Sequence, residues 1–129
     1  MPDAVDEFYA ATRRADAAGI LALLHPEFEA HTAPGMPCGA GGAFQGPEET
    51  LARVWGAVFT DYDTAPYAET RHRTEDGMIV VTGRYRGTAR ATGRGYEAEF
   101  VHLWRLTDGR ISWLHQYTDT ARWREALAS

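Results

Sequence analysis

His102 is the residue whose type and surroundings point most directly to acid–base chemistry in this chain of 129 residues. It lies in the stretch 96–120, YEAEFVHLWRLTDGRISWLHQYTDT, where an Asp-Gly pair at 108–109 joins two runs that alternate apolar and polar residues. Asp-Gly favours a tight hairpin turn, because both central positions need a positive φ. In the first predicted strand His102 shares a face with Phe100 and Trp104. We therefore expect the imidazole among aromatic rings.

An imidazole in that position suits proton transfer, since its ordinary pKa is about 6.5 and it can give or take a proton near neutral pH. Burial favours the neutral ring, which suits a general base or a hydrogen-bond donor to a developing enolate. Alternatively, His102 is a core histidine bonded to a neighbour. Gln116, on the next predicted strand, could orient His102 or bind a substrate oxygen, or it could simply line a cavity.

The remaining histidines and the cysteine do not form a recognisable metal or nucleotide site. The chain has five histidines and one cysteine, without HxH, HxxxH or HExxH spacing, and Cys38 has no second cysteine to pair with. The glycine-rich segment 33–46 lacks both GxGxxG and GxxxxGK[ST], and no Gly-x-Ser-x-Gly motif occurs. The sequence therefore predicts no metal and no cofactor.

The bulk composition favours one ordinary globular domain spanning residues 1–129. Hydrophobic residues make up 44% and charged residues 24% of the chain, and the net charge of −5 gives no basic surface for nucleic acid. No run reaches membrane-spanning length, and the N-terminus lacks an apolar signal core. We therefore expect a cytoplasmic protein that binds neither nucleic acid nor a membrane.

The elements that must position these side chains follow from hydrophobic periodicity. Helices are predicted at 3–15 and 16–25 and from Pro47 onwards, and a last short helix is predicted around Trp123 and Leu127. Strands are predicted at 27–32, 65–74, 78–91, 96–107 and 110–120. Segment 33–46 is predicted to be an irregular loop, either a lid or a passive connection. Segregated helices and strands indicate the α+β class: three N-terminal helices packed on a strongly curved, mostly antiparallel sheet that leaves a pocket.

The segments DAAGILALLHPEFEAH, FQGPEETLARVW and FVHLWRLTDGRISWLHQYTDT are similar to those of the SnoaL-like branch of the nuclear-transport-factor-two-like superfamily, which includes polyketide cyclases and ketosteroid-isomerase relatives. The resemblance covers nearly the whole chain. It implies a cone-shaped α+β barrel with a hydrophobic pocket, and a homodimer. The fold alone does not settle the function, because this superfamily hosts both enzymes and binding modules.

The resemblance also indicates which residues of this chain stand at the functional positions of the family. The isomerases carry a carboxylate base that falls at or near Thr32, and the cyclases carry one that falls at Gln116. A tyrosine donor falls at Phe8 or its neighbour Tyr9, and a proton-bearing acid falls at His102. This chain departs from the pattern at both base positions, so the resemblance implies a site in which His102, Tyr9 and Gln116 carry the chemistry.

Aromatic and apolar residues around that site suit a flat, hydrophobic ligand. Trp55, Phe59, Tyr85, Phe100, Trp104, Leu114 and Thr32 are the predicted lining residues. His31 belongs with them only if a bulge turns it inward, because strict alternation puts it on the face opposite Thr32.

The hypothesis is a small cofactor-independent enzyme that isomerises, cyclises or dehydrates a hydrophobic carbonyl or polyketide-like compound. Proton transfer through His102 would drive the reaction, while Tyr9 and Gln116 hold the oxygen. Two alternatives stay open. One is a non-catalytic module that binds a small ligand or a protein partner in the same cone. The other is a dimerisation module that uses an apolar patch on the opposite sheet face, formed by Val101, Leu103, Trp113, His115 and Tyr117.

Overall fold

The structure is a computed structural model that describes residues 3–128, and it shows the predicted α+β architecture. Its helices are α1 (Ala4–Arg13), α2 (Ala17–Leu23), α3 (Pro47–Thr50), α4 (Ala57–Asp61) and α5 (Thr120–Leu127). A π-helical segment, Leu51–Gly56, joins α3 to α4 without a break. The three predicted N-terminal helical regions are therefore α1, α2 and this continuous run.

The strands form one six-stranded curved sheet that does not close on itself. They are β1 (Leu24–Thr32), β2 (Gly42–Gln45), β3 (Tyr62–Arg73), β4 (Ile79–Ala89), β5 (Gly95–Thr107) and β6 (Arg110–Thr118), in the spatial order β2-β1-β6-β5-β4-β3. The pair β1–β6 is parallel, and every other neighbouring pair is antiparallel. The sheet is thus mostly antiparallel, as predicted.

Glycines on β4 allow the edge strand β3 to approach closely. A Cβ at Gly83 would lie 2.1 Å from the carbonyl oxygen of Tyr67, and a Cβ at Gly87 would lie 2.1 Å from that of Asp63. Any side chain at these positions would force β3 away. Glycine therefore permits the tight packing of β3 against β4 at one end of the sheet.

Helix α1 covers the inner face of the sheet and begins at a capping box. The Asp3 carboxylate accepts hydrogen bonds from the backbone N–H groups of Val5 and Asp6, and the Asp6 carboxylate accepts one from Asp3. Arg71, near the end of β3, donates to both carboxylates, with 2.6 Å between its Nη1 and Oδ1 of Asp6. These contacts fix α1 on the sheet and so fix the position of Tyr9.

The hairpin between β5 and β6 has the predicted geometry, since Asp108 and Gly109 both adopt positive φ, at 52° and 78°. Two strands begin earlier than predicted. Strand β1 begins at Leu24, because its irregular first half, with a register shift between Leu24 and Glu29, already pairs with β6. Strand β3 begins at Tyr62, and its Pro66 is tolerated because β3 lies at the edge of the sheet.

The sequence predicted that segment 33–46 is an irregular loop, but the structure shows that it contains β2. This four-residue strand pairs with the end of β1 and buries Phe44 against the core. Gly42, the first residue of β2, and Gly46, which follows its last residue, both adopt positive φ. Within residues 3–128, no helix has the length and apolar character needed to cross a membrane.

Candidate functional site

A narrow cavity lies between the helices and the inner face of the sheet. Thirteen described residues line it, and none of them carries a charge. The cavity volume is about 30 Å³, and it is about 400 Å³ when the open mouth and all the space between the wall atoms are included. Most of the wall is apolar and is formed by Phe8, Val54, Trp55, Val58, Phe59 and Trp123.

The polar groups of the wall come from four residues: Thr12, Thr64, Tyr85 and Gln116. The Thr12 hydroxyl donates to the Tyr9 carbonyl at 2.9 Å, and the Thr64 hydroxyl donates to the Arg86 carbonyl at 3.0 Å. Because both threonine hydroxyls bond the backbone, Tyr85 and Gln116 are the lining groups best placed to contact a ligand.

His102 lies behind this wall, on the apolar face of β5 that the alternation predicted. It is 2% exposed, and its ring stacks on Phe100 with 4.0 Å between centroids. Both ring nitrogens are occupied: the Tyr9 hydroxyl is 2.6 Å from Nδ1, and the Tyr85 hydroxyl is 2.7 Å from Nε2. The imidazole is therefore clamped between two tyrosines and is not among the lining residues.

Two further donors extend this chain of hydrogen bonds at either end. The indole N–H of Trp104 donates to the Tyr9 hydroxyl at 3.1 Å, and the Gln116 amide Nε2 donates to the Tyr85 hydroxyl at 2.7 Å. The backbone N–H of Ala33 donates to Gln116 Oε1 at 3.4 Å, which orients the amide. We call Trp104, Tyr9, His102, Tyr85 and Gln116 the polar relay.

Burial keeps the relay uncharged. Desolvation lowers the pKa of His102 from 6.5 to about 3, so the imidazole is neutral at physiological pH. Desolvation also raises the pKa values of Tyr9 and Tyr85 well above 10. Both tyrosines therefore keep their protons, and Tyr85 is a neutral hydrogen-bond donor.

The predicted catalytic residues converge, although not as predicted. Gln116 is the register partner of His102 across β5 and β6, yet it bonds Tyr85 rather than the imidazole. Tyr9 does reach His102, from α1. His102 itself has neither a pKa near neutrality nor a free nitrogen, so the general-base role predicted for it does not fit this geometry.

Three of the predicted lining residues, Trp55, Phe59 and Tyr85, do line the cavity. Thr32 does not, because its hydroxyl donates to the Ala40 carbonyl and closes the loop. His31 points to the outer face of the sheet, beside Trp113 and His115, since β1 has no bulge at that position. The others, Phe100, Trp104 and Leu114, lie in the core, and Trp104 is itself a member of the relay.

Other lining residues were not anticipated from the sequence. Met36 comes from the glycine-rich segment, Thr12 from α1 and Trp123 from α5. The amphipathic pattern of α1 contained Thr12, but nothing in the local sequence shows that α5 reaches the cavity. Among residues 3–128, no three His, Cys, Asp or Glu side chains are grouped so as to hold a metal ion.

Comparison with known proteins gives a consistent picture. The family profile of the SnoaL-like domain matches residues 5–114. No curated protein matches the chain. Among solved structures, an NTF2-like protein from Burkholderia thailandensis is 29% identical over 100% of both chains, with a TM-score of 0.85. An NTF2-like protein of unknown function from Burkholderia pseudomallei is 32% identical over 98% of this chain and 95% of its own, with a TM-score of 0.86.

A third solved structure, TerC co-crystallised with polyporic acid, is 27% identical over 98% of this chain and 96% of its own, with a TM-score of 0.85. The family match covers most of the chain, including the strands that carry Tyr85 and His102. The chain therefore belongs to the SnoaL-like domain family, and its fold is that of the NTF2-like proteins.

Proposed function

We propose that this protein is a cofactor-independent enzyme that acts on a small, uncharged, apolar carbonyl compound by proton-transfer chemistry. The observation that carries the proposal is the pairing of Tyr85 and Gln116 in an otherwise apolar cavity. Their polar atoms are 2.7 Å apart, close enough to meet the same ligand oxygen. The family includes polyketide cyclases and isomerases, which is the class of chemistry the sequence motifs implied.

The pair suits an oxygen that gains negative charge. Isomerisation, cyclisation and dehydration of carbonyl compounds can all begin with loss of a proton next to the carbonyl, and the electrons then move onto its oxygen. A Tyr85 hydroxyl and a Gln116 amide N–H would hold that oxygen, and preorganised donors of this kind stabilise the developing charge. His102 and Tyr9 would position Tyr85 instead of transferring the proton.

The cavity accounts for the apolar, uncharged character of the ligand. Its described lining residues include no carboxylate and no cationic group, so a charged ligand would lose its hydration without gaining an ion pair. The narrow space favours a flat molecule, and larger ligands need the walls to separate. The likeness to TerC, crystallised with polyporic acid, supports a small organic ligand.

A non-catalytic binding module is the second candidate, and the same uncharged wall favours it. No described lining residue is a base of suitable pKa, so in the enzyme the carbon-bound proton must leave to water or to a basic group of the substrate itself. A module that only binds its ligand needs no such acceptor.

Hydrogen–deuterium exchange next to the carbonyl distinguishes the two candidates. A panel of flat aromatic ketones in D₂O is incubated with the protein, and exchange is followed by NMR. We expect exchange above the buffer rate, reduced about 10²-fold in Tyr85→Phe or Gln116→Leu. The control Tyr96→Phe removes a half-buried hydroxyl that bonds Thr64, and Tyr96 does not line the cavity. Binding without exchange would support the binding module, and the absence of both would refute both candidates.

We also propose that the chain forms a homodimer through the outer face of the sheet. His115 and Tyr117 stack there with 4.4 Å between ring centroids, and Tyr117 is 51% exposed. Trp113 and His31 extend the aromatic surface across β6 and β1. An exposed aromatic stripe of this kind is typical of a protein–protein contact.

A further inference from the structure

The polar relay contains two more protons than its own hydrogen bonds can use: one tyrosine hydroxyl proton and the second amide hydrogen of Gln116. Four bonds join its five side chains, and two of them are donated from the ends, by Trp104 and Gln116. The two middle bonds join His102 to the hydroxyls of Tyr9 and Tyr85. A neutral imidazole has one N–H and one acceptor nitrogen. Those two bonds therefore use the imidazole proton and one tyrosine proton.

The imidazole tautomer determines which of the two tyrosines has a hydroxyl proton that the relay does not use. With the proton on Nε2, Tyr9 donates to Nδ1, the imidazole donates to Tyr85, and the Tyr85 proton is free. With the proton on Nδ1, Tyr85 donates to Nε2, and the Tyr9 proton is free. Both states contain the same number of protons. When the Tyr9 proton moves to Nδ1 and the Nε2 proton moves to the Tyr85 oxygen, one proton must leave at Tyr85 and one must arrive at Tyr9, so the change occurs with no net uptake.

The two tautomers differ in whether the unused tyrosine proton can reach a ligand in the cavity. Tyr85 is a lining residue, whereas Tyr9 is 5% exposed and packs against Phe8 and Trp104. A free Tyr85 proton can reach a ligand. A free Tyr9 proton has no acceptor in the relay, and leaving a buried donor unpaired is unfavourable.

We propose that His102 is a positioning residue whose tautomer determines whether Tyr85 can donate to a ligand, and that an acceptor oxygen in the cavity selects the Nε2–H form. The inference rests on the proposed binding of an oxygen by Tyr85 and Gln116. The second Gln116 amide hydrogen, which the Tyr85 bond does not use, adds another donor. The ligand atom at this point is therefore an acceptor, a carbonyl or enolate oxygen, and not a hydroxyl or ammonium donor.

Tyr9 takes part in this selection without touching the ligand. Its hydroxyl donates to Nδ1 only in the Nε2–H form, and it lies on α1, outside the cavity wall. In the Nδ1–H form the same oxygen accepts from the imidazole, and its own proton has no acceptor in the relay, so Tyr9 favours the Nε2–H form. Tyr9→Phe would remove the Tyr9 bond from both tautomers and is therefore not a selective test.

The test compares acetophenone, which has one acceptor oxygen, with ethylbenzene, which has a similar shape and none. Histidine ring ¹⁵N NMR identifies the protonated nitrogen, and the His102 signals are assigned by their absence in His102→Gln. We expect acetophenone to give the Nε2–H form and ethylbenzene to leave the spectrum of the free protein unchanged.

The outcomes separate this inference from the proposed function. If acetophenone binds with the proton on Nδ1, the positioning role is wrong and the binding site stands. The positioning role is also wrong if ethylbenzene changes the His102 signals in the same way, since ethylbenzene has no acceptor oxygen. If neither probe binds at millimolar concentration, the proposed site is wrong and the inference falls with it.

Discussion

His102 makes the folded state sensitive to acid, because the unfolded chain binds a proton that the buried ring cannot accept. Its pKa is about 3 in the folded protein, against 6.5 for an ordinary histidine side chain in water. The stabilising contribution of the neutral ring is complete above pH 6.5 and is lost as the pH falls from there towards 3. In that window the free energy of unfolding should fall by up to about 1.4 kcal/mol per pH unit from this residue alone.

Urea titrations between about pH 7 and pH 4 test this expectation. His102→Gln should be less stable than the unsubstituted protein at neutral pH, since it disrupts the bonds to both tyrosines. Its unfolding free energy should nevertheless decline less steeply with acid. His72→Gln, at an exposed position on β3, serves as the control and should keep the original slope. Equal slopes in all three proteins would contradict the assignment.

The sequence predicted the surroundings of His102 better than its partners. Alternation along β5 placed the imidazole with Phe100 and Trp104, and the structure confirms that face. The bonds to Tyr9 and Tyr85 depend on how α1 lies on the sheet and on the register between β4 and β5. Neither is encoded in local periodicity. Tyr85 was therefore predicted as a lining aromatic, and its place beside Nε2 emerged only from the fold.

Among the elements, the β5–β6 hairpin depends on the positive φ of its turn. Gly109 has φ 78°, and a Cβ there would meet nothing within 4 Å, so Gly109→Ala would impose backbone strain without a clash. We expect a loss of about 1–2 kcal/mol in the free energy of unfolding. Gly95→Ala is the matched control, because its Cβ would make an ordinary contact 3.8 Å from the Gly87 carbonyl oxygen, with no positive φ. Equal losses in the two variants would exclude strain as the cause.

Helix α5 limits the size of the cavity through Trp123. The indole is 1% exposed, contacts Tyr85 with 4.8 Å between ring centroids, and donates to the Thr118 hydroxyl at 3.1 Å. Arg124 holds the helix against the glycine-rich segment by donating to the Gly35 carbonyl at 2.7 Å. The family match ends at residue 114, so this wall lies outside the matched region.

Trp123→Ala should therefore shift ligand preference towards larger molecules. Calorimetry measures the binding of acetophenone and of 2-acetylnaphthalene. In the variant, the affinity for the larger ketone should rise relative to the affinity for the smaller one. The substitution should cost about 3–5 kcal/mol of stability, and Trp123→Leu provides a milder variant if folding is lost. Trp113→Ala, on the outer face, should leave the preference unchanged. An unaltered preference in both Trp123 variants would show that α5 does not limit the cavity.

Other elements show where sequence patterns reach their limit. The spacing of apolar residues from Leu51 to Phe59 predicted one amphipathic helix. Val54, Trp55, Val58 and Phe59 do share the cavity wall, whereas Leu51 is not among the lining residues. The pattern does not reveal the π-helical turn at their start, although such turns recur at functional sites. Strand β2 was missed because four residues between glycines give no periodicity, and its pairing with β1 is a tertiary contact.

For the molecule as a whole, the proposed homodimer predicts a defined oligomeric state. Sedimentation at micromolar concentration should give a dimer, and Tyr117→Glu should shift it towards monomer by placing a charge in the aromatic stripe. Tyr67→Glu is the matched control, since Tyr67 is also exposed, at 39%, but lies on the edge strand β3 beside Arg86. A monomeric unsubstituted protein, or equal effects of both substitutions, would contradict an interface on this face.

The single parallel pairing has a consequence for the order of folding. Strands β3 to β6 join through short turns, whereas β1 must find β6 across most of the chain, as the pairing of Ala30 with Leu114 shows. Closing such a long loop costs more conformational entropy than closing a hairpin. We expect the antiparallel strands to assemble first and the N-terminal half to dock last.

The cavity is complete only after that docking, because Phe8 comes from α1 and Gln116 from β6. A ligand recognises contacts that are absent until the final kinetic step. Its binding should therefore retard unfolding and leave the rate of hairpin assembly unchanged.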